Sequence, residues 1–283
     1  MPLTAHHSDR LQRIEQARDL VFQGRSEAQG SGVPPWIAQS WQRCLSMGLQ
    51  PGQAVGFDAI SAQHMRRVQE ASRPLVQAAQ PVLAELARAI ADIRYFAILT
   101  NAQGIVVDVH GPVDRQDRRA EVIARVGVDL SEKAVGTTAI GLALTEQEAV
   151  WVHQGEHFFN ANTAYSCAGA PVYGPLGELV GMLDLTGIEV FERPALKHLV
   201  VQSVGSMNLP RAWKPVTAWQ NNASSCTRAS TAARGPLPSS NTSSTSQTRS
   251  TLPSVARSIG LSPSELSLPT PSAMTVIPPF PRS

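Results

Sequence analysis

The 283-residue chain is poor in charge, in aromatic residues and in cysteine. Charged residues make up 16% of it, against about 25% in an average globular domain. The net charge of +2 excludes a polycation built along its whole length for nucleic acid. Three cysteines, Cys44, Cys167 and Cys226, are too few and too scattered for a disulfide framework or a Cys-rich zinc site. No apolar run approaches the roughly 20 residues that cross a bilayer. The opening MPLTAHHSDRLQRIEQ lacks the apolar core of a signal peptide. A cytoplasmic chain with reduced thiols and no membrane partner is expected. G-x-x-x-x-G-K-[ST] does not occur, which excludes P-loop ATP hydrolysis by these residues. G-x-G-x-x-G does not occur either, which removes support for a dinucleotide site. No cofactor is expected.

What is present is a 42% hydrophobic content, enough to fill the core of one or two domains. The charge is unevenly spread. Residues 208–283 carry seven basic groups and one acidic one, Glu265, and so stand at +6. Residues 1–207 carry 17 basic and 21 acidic groups and stand at −4. The same 208–283 stretch holds 25 Ser and Thr and 11 Pro, so it buries too little apolar surface to offset chain entropy and is expected to be a disordered tail. The loss of periodicity inside a helix, together with the jump in charge, leads to the expectation of a shift of reading frame or an equivalent truncation near Val204–Met207, with a natural linker or disordered tail as the alternative.

Periodicity divides the first 207 residues. Apolar positions recur at helical spacing over 8–23, over Trp36–Met47 after Pro35, and from a cap at Ser61 to about Ile93. Pro74 and Pro81 are expected to kink or divide this last helix. RYFAILT, NAQG and IVVDVHG read as strand, turn and strand. A short helix at DRRAEVIARVG, another at Thr138–Leu144, a strand EAVWV, a second hairpin over 165–187 and a closing helix over 192–204 follow. Two hairpins without βαβ alternation indicate an α+β domain on an antiparallel sheet. The division expected is a helical region at 1–75, a sensor domain at 76–207 and the tail.

Three constellations carry potential chemistry. His153-Gln-Gly-Glu156-His157 has the H-x-x-E-H spacing of an inverted zinc-protease motif. It follows a strand rather than lying on a helix and contains Gly155, so it reads as a polar strand-to-loop segment, and no metal is expected. Cys167, near Glu156 and His157 in sequence, has no group that would lower its pKa and reads as a structural thiol. Trp36 and Trp41 read as packing residues of their helix.

Five segments in order carry a resemblance: SWQRCLSMGLQP, LTNAQGIVVDVHG, GVDLSEKAVGTTAIGLAL, the triplet Glu156–Phe158, and YSCAGAPVYGPLGELVGMLDLTG. Over about residues 35–205 the chain resembles the N-terminal sensory region of sigma-54-dependent transcriptional activators of the acetoin/glycerol-catabolism type. The resemblance implies a GAF-like domain with a six-stranded antiparallel sheet flanked by helices, which senses a small metabolite. It departs from the family in reading GTTAIG at 136–141 and in placing Tyr165 near Cys167. In the family an ATPase domain acts on sigma-54 RNA polymerase and a helix-turn-helix holds DNA; neither is recognisable here, so DNA and polymerase are partners only through those domains.

By chain position, the candidate ligand pocket comprises Tyr95 and Ile98 on the first strand, and Thr137, Thr138 and Ile140 in the covering segment. Trp151 and His157 flank the middle strand, and Cys167 and Asp184 sit on the second hairpin. His and Thr donors suit a hydroxylated or keto compound, and the resemblance implies an acetoin-like or polyol ligand. The long helix before Arg94 and the closing helix are the expected homodimer and output elements. The competing readings are a free-standing GAF enzyme of sulfoxide-reductase type using Cys167, and a module whose basic tail binds a polyanion.

Overall fold

A computed structural model describes residues 3–24 and 32–210. The expectations for the tail, including Cys226 and the polyanion reading, lie outside the described residues. β-Branched and aromatic residues in YFAILTN and VVDVH form β1 (Tyr95–Asn101) and β2 (Val106–His110) around the turn ending at Gly104. β3 (Val150–His153), β4 (Tyr165–Tyr173) and β5 (Leu179–Ile188) complete one antiparallel sheet of order β2-β1-β5-β4-β3. The α+β class and its antiparallel sheet are as expected. The sheet has five strands where the resemblance implies six. In place of a sixth, residues 127–130 run along the β2 edge through backbone bonds such as Val106 N–H to Val128 O (2.9 Å) and Leu130 N–H to Gly104 O (2.9 Å). Asp129 makes only an isolated bridge, to Ile105, and Val128 bridges instead to Ala59.

β1 is buried along its whole length, because helices cover both faces of the sheet. One face meets α1 (Leu3–Phe22), α2 (Pro35–Ser46), α4 (Arg118–Ile123), α5 (Glu132–Val135) and α6 (Ala139–Glu146), with Trp41, Phe158, Phe159, Phe96, Ile98 and Met182 in its core. The other face meets α3 (Ala62–Ala89) and α7 (Leu196–Gly205), with Leu75, Leu83, Tyr95, Leu99, Leu183 and Val200 between them. The central strand approaches its neighbours closely at Gly181. A Cβ there would lie 2.3 Å from Thr100 O and 2.7 Å from Leu75 Cδ2.

Ser61 caps α3 as expected, accepting from the His64 N–H (3.3 Å). The prolines do not divide the helix: α3 is continuous through Pro74 and Pro81. The carbonyls they leave without a donor, four residues back at Glu70 and Gln77, belong to exposed residues that water can reach. Val68, Leu75, Ala79, Leu83 and Leu86 form the stripe that packs on the sheet. The boundary expected at 75/76 falls inside this helix. α2 is not peripheral: Trp41 is fully buried and donates from Nε1 to the Glu156 carbonyl (2.9 Å), while Trp36 stays at the surface.

Truncating Trp41 removes a fully buried indole from the same core that holds the sheet. Trp41→Ala should therefore cost about 3–5 kcal/mol in a single cooperative unfolding transition, measured by denaturant titration with far-UV circular dichroism. A small early transition with the main midpoint unmoved would show that α2 folds apart from the sheet.

Candidate functional site

Between the sheet and the cover formed by α6 and the 153–162 segment lies an almost closed cavity of about 10 Å³, room for roughly one water. Its polar wall comes from Thr138, His157, Asn162, Cys167 and Thr186, and its apolar wall includes Phe57, Leu130 and Ile140. No Lys or Arg lines it.

Each wall residue is fixed by local structure. Thr138 begins α6, with Oγ1 accepting from the Gly141 N–H (3.1 Å) and its own hydrogen left free. Gly136, at φ +66°, passes the chain under Phe158 and Phe159; a Cβ there would lie 3.0 Å from both side chains. After β3 the chain makes a single helical turn, Gln154–Glu156, entered through Gln154 at φ +46°. That strained residue aims its carbonyl at His157, accepting from the His157 N–H (3.0 Å) and facing Nδ1 (3.0 Å). A carbonyl requires Nδ1 to carry the proton, and burial pushes the imidazole pKa down to about 4, so the ring is neutral and Nε2 is a bare acceptor. Nε2 is buried with no protein partner among the described residues. The Asn162 amide donates from Nδ2 to Val135 O (3.2 Å), which leaves Oδ1 as a second buried acceptor without a partner among the described residues.

The loop bearing His157 is tied to the N-terminal helix. Arg18 on α1 donates to the carbonyls of Gly155 (2.8 Å), His157 and Phe158 (3.1 Å) and to Asn160 Oδ1 (2.9 Å). Its guanidinium also lies over the rings of Phe22 and Trp41. Beside it, Glu156 is buried. It accepts from the His153 N–H (2.8 Å) and from Arg10 (2.8 Å), and Arg10 also pairs with Glu192 just before α7.

On the floor, Asp184 of β5 lies opposite Ile98 in the pairing with β1. Thr186 donates to Asp184 Oδ2, Oδ1 is buried without a partner among the described residues, and the Cys167 sulfur lies 3.6 Å from Thr186 Oγ1. Burial pushes the Asp184 carboxyl up to about 7, the Thr186 hydrogen bond opposing only part of it. Burial, with Asp184 second, pushes the Cys167 thiol well up. Cys167 is therefore a protonated thiol, not a poised nucleophile.

Of the nine residues expected in the pocket, Thr138, Ile140, His157 and Cys167 line the cavity. Ile98 and Asp184 share its sheet face without lining it. Thr137 turns away to Ser40 (2.7 Å) in α2. Tyr95 and Trp151 sit on the opposite face, against the α3 and α7 layer. Of the other lining residues, the polar Asn162, Thr186 and Tyr165 and the apolar Phe57, Ile123, Leu130 and Ala139 were not among those expected. Tyr165 and Thr186 follow from alternation, since each is two residues from a chosen neighbour, Cys167 and Asp184. Asn162 has no sequence signal. The H-x-x-E-H residues do not converge: His153 faces Ser166 and stacks on Trp151, Glu156 is held by Arg10, and His157 faces the cavity. No group of three His, Cys, Asp or Glu among the described residues is placed to hold a metal ion.

Residues 13–208 match the family model described as the MimR N-terminal domain. The acetoin catabolism regulatory protein of Cupriavidus necator is 29% identical over 169 residues, 59% of this chain and 25% of that protein. The propane 2-monooxygenase operon transcriptional activator MimR of Mycolicibacterium smegmatis is 27% identical over 202 residues, 71% of this chain and 33% of that protein. The chain thus spans a quarter to a third of the length of these curated relatives. A chain of the crystal structure of the E. coli DhaR(N)-DhaL complex superposes with a TM-score of 0.58 at 17% identity, covering 62% of this chain and 60% of that one, a likeness of fold. These matches bear out the resemblance drawn from the five sequence segments to the sensory regions of transcriptional activators.

The raised Asp184 carboxyl gives a pH test. Its folded value of about 7 exceeds the unfolded value near 3.9. Its contribution to stability is therefore fully present below about pH 4 and lost as pH rises through about 7. Asp184→Asn, which keeps an acceptor for Thr186, should gain in Tm over the parent as pH rises from 5 to 8, by roughly 3 °C or more. A parent-to-variant difference independent of pH would contradict the assignment.

Proposed function

The chain belongs to the MimR N-terminal domain family, and on that premise we propose that it is the small-molecule-sensing regulatory domain of a sigma-54-dependent transcriptional activator. The observation that carries the reading is the cavity itself, a small, mostly apolar pocket with a few oriented polar atoms under a cover tied to the N-terminal helix. In this reading the ligand is a small metabolite, acetoin-like or a polyol. The domain works in the cytoplasm, as a homodimer through α3 and α7. It reaches DNA and sigma-54 RNA polymerase only through domains supplied by sequence other than these 283 residues. No helix of the described residues is long and apolar enough to cross a membrane.

Sensing requires a ligand to favour one arrangement of the chain over another. A cavity of about 10 Å³ admits a metabolite only if its wall moves. In this reading the wall that yields is the 153–162 segment; Arg18 ties it to α1, and Arg10 pairs with both its Glu156 and Glu192 before α7, so a ligand that shifts it alters contacts with α1 and with the approach to α7. The domain's output is thus not catalytic. The relatives carry regulators' names, and the protonated Cys167 speaks against the free-standing enzyme reading.

A thermal-shift screen of the full chain against small uncharged metabolites tests the reading. A true ligand at a hundred times its Kd should add about 2.7 kcal/mol, a rise in Tm of roughly 5–10 °C. Ile140→Trp, which fills the cavity from α6, should abolish the rise. A shift that survives Ile140→Trp, or no shift from any compound, would contradict it.

A further inference from the structure

Hydrogen-bond polarity narrows what the cavity accepts. A neutral His157 with its proton committed to Gln154 O presents only the Nε2 lone pair, and Asn162, with its amide N–H₂ turned to Val135 O, presents only Oδ1. Both residues are buried to within 1% of full burial, and neither atom has a protein partner among the described residues. Other hydroxyls are already committed: Tyr165 donates to Arg119 O (3.1 Å) and Thr186 donates to Asp184. The Thr138 hydroxyl hydrogen is the one strong donor the wall leaves free. We propose that His157 and Asn162 are the specificity-determining residues of this site, and that they select a small uncharged compound bearing two O–H or N–H donors on an apolar frame, with room for one acceptor opposite Thr138. The proposal rests on the sensor reading above.

The chemistry this excludes is as definite as the chemistry it admits. A compound whose oxygens only accept, such as a diketone, leaves both buried acceptors without a donor and sets its own lone pairs against them. A carboxylate or phosphate meets no cationic side chain in the wall and loses its water without compensation. This reverses the role given to histidine in the sequence reading, where it served as a donor. The tautomer is set by Gln154, whose left-handed backbone turns its carbonyl onto Nδ1.

One carbon skeleton with a varying donor count tests the proposal without any mutation. The full chain is titrated calorimetrically, and by thermal shift, with butane-2,3-diol (two donors), acetoin (one), diacetyl (none) and the 2-hydroxybutyrate anion. The diol should bind most tightly, acetoin next, diacetyl at least about 10-fold more weakly than the diol, and the anion not measurably. His157→Gln, which restores an acceptor, should keep that order, and Asn162→Leu should narrow the diol-to-diacetyl ratio. Diacetyl or the anion binding as well as the diol would overturn the donor rule and leave the sensor reading standing. So would silence from the whole series while a larger or charged metabolite binds in the cavity and is blocked by Ile140→Trp. Silence from every compound tried would overturn both.

Discussion

The guanidinium of Arg18 is the constraint on which the site depends. The turn after β3 exposes carbonyls at Gly155, His157 and Phe158 that lie within no strand or helix ladder, and Arg18 answers all three while its charge rests on Phe22 and Trp41. A buried carbonyl without a donor costs about 1–3 kcal/mol, so a single side chain from α1 does much to hold the partly buried 155–160 segment in place. With the segment fixed, His157 has one tautomer, Phe158 and Phe159 close over Gly136, and the cavity has a wall. The N-terminal helix is in this sense a structural support of the pocket, although none of its residues is among those lining the cavity.

The sheet explains why the cavity is where it is. With helices on both faces, most residues of β1, β4 and β5 have no solvent side, and their polar atoms are either paired within the protein or, like Asp184 Oδ1, buried without a partner among the described residues. Ser166 meets His153 on one face; Asp184 and Thr186 meet each other on the face that carries the cavity. The Asp184–Thr186–Cys167 row lies on that face, and its Cys167 and Thr186 line the cavity together with Thr138, Ala139 and Ile140 at the start of α6. Glu156, Arg10 and Glu192 extend polar pairing from the wall to the approach to α7.

Much of the fold was legible in the residues. Turn residues ending in Gly104, runs such as YFAILT and the Ser61 cap mark elements that local chemistry alone specifies. The continuity of α3 was not legible, because whether a proline breaks a helix depends on where the freed carbonyl points, which is a property of packing. The pocket was legible only in part. Tyr95 and Ile98 are three apart on one strand and cannot share a face, a constraint that alternation already contains. Which face carries the cavity is not in the pattern when both faces are apolar, and this misplaced Tyr95 and Trp151. Asn162 and Arg18 act through backbone carbonyls distant in sequence, and such partnerships leave no local trace.

The most direct measurement is hydrogen–deuterium exchange of the full chain carrying Arg18→Met, which keeps length and apolar bulk while removing the donors. Amides of α1 and of residues 153–162 should lose protection together, while α3 and α7 on the other face keep theirs. Unchanged protection of 153–162 in the variant would contradict the dependence of the pocket wall on Arg18.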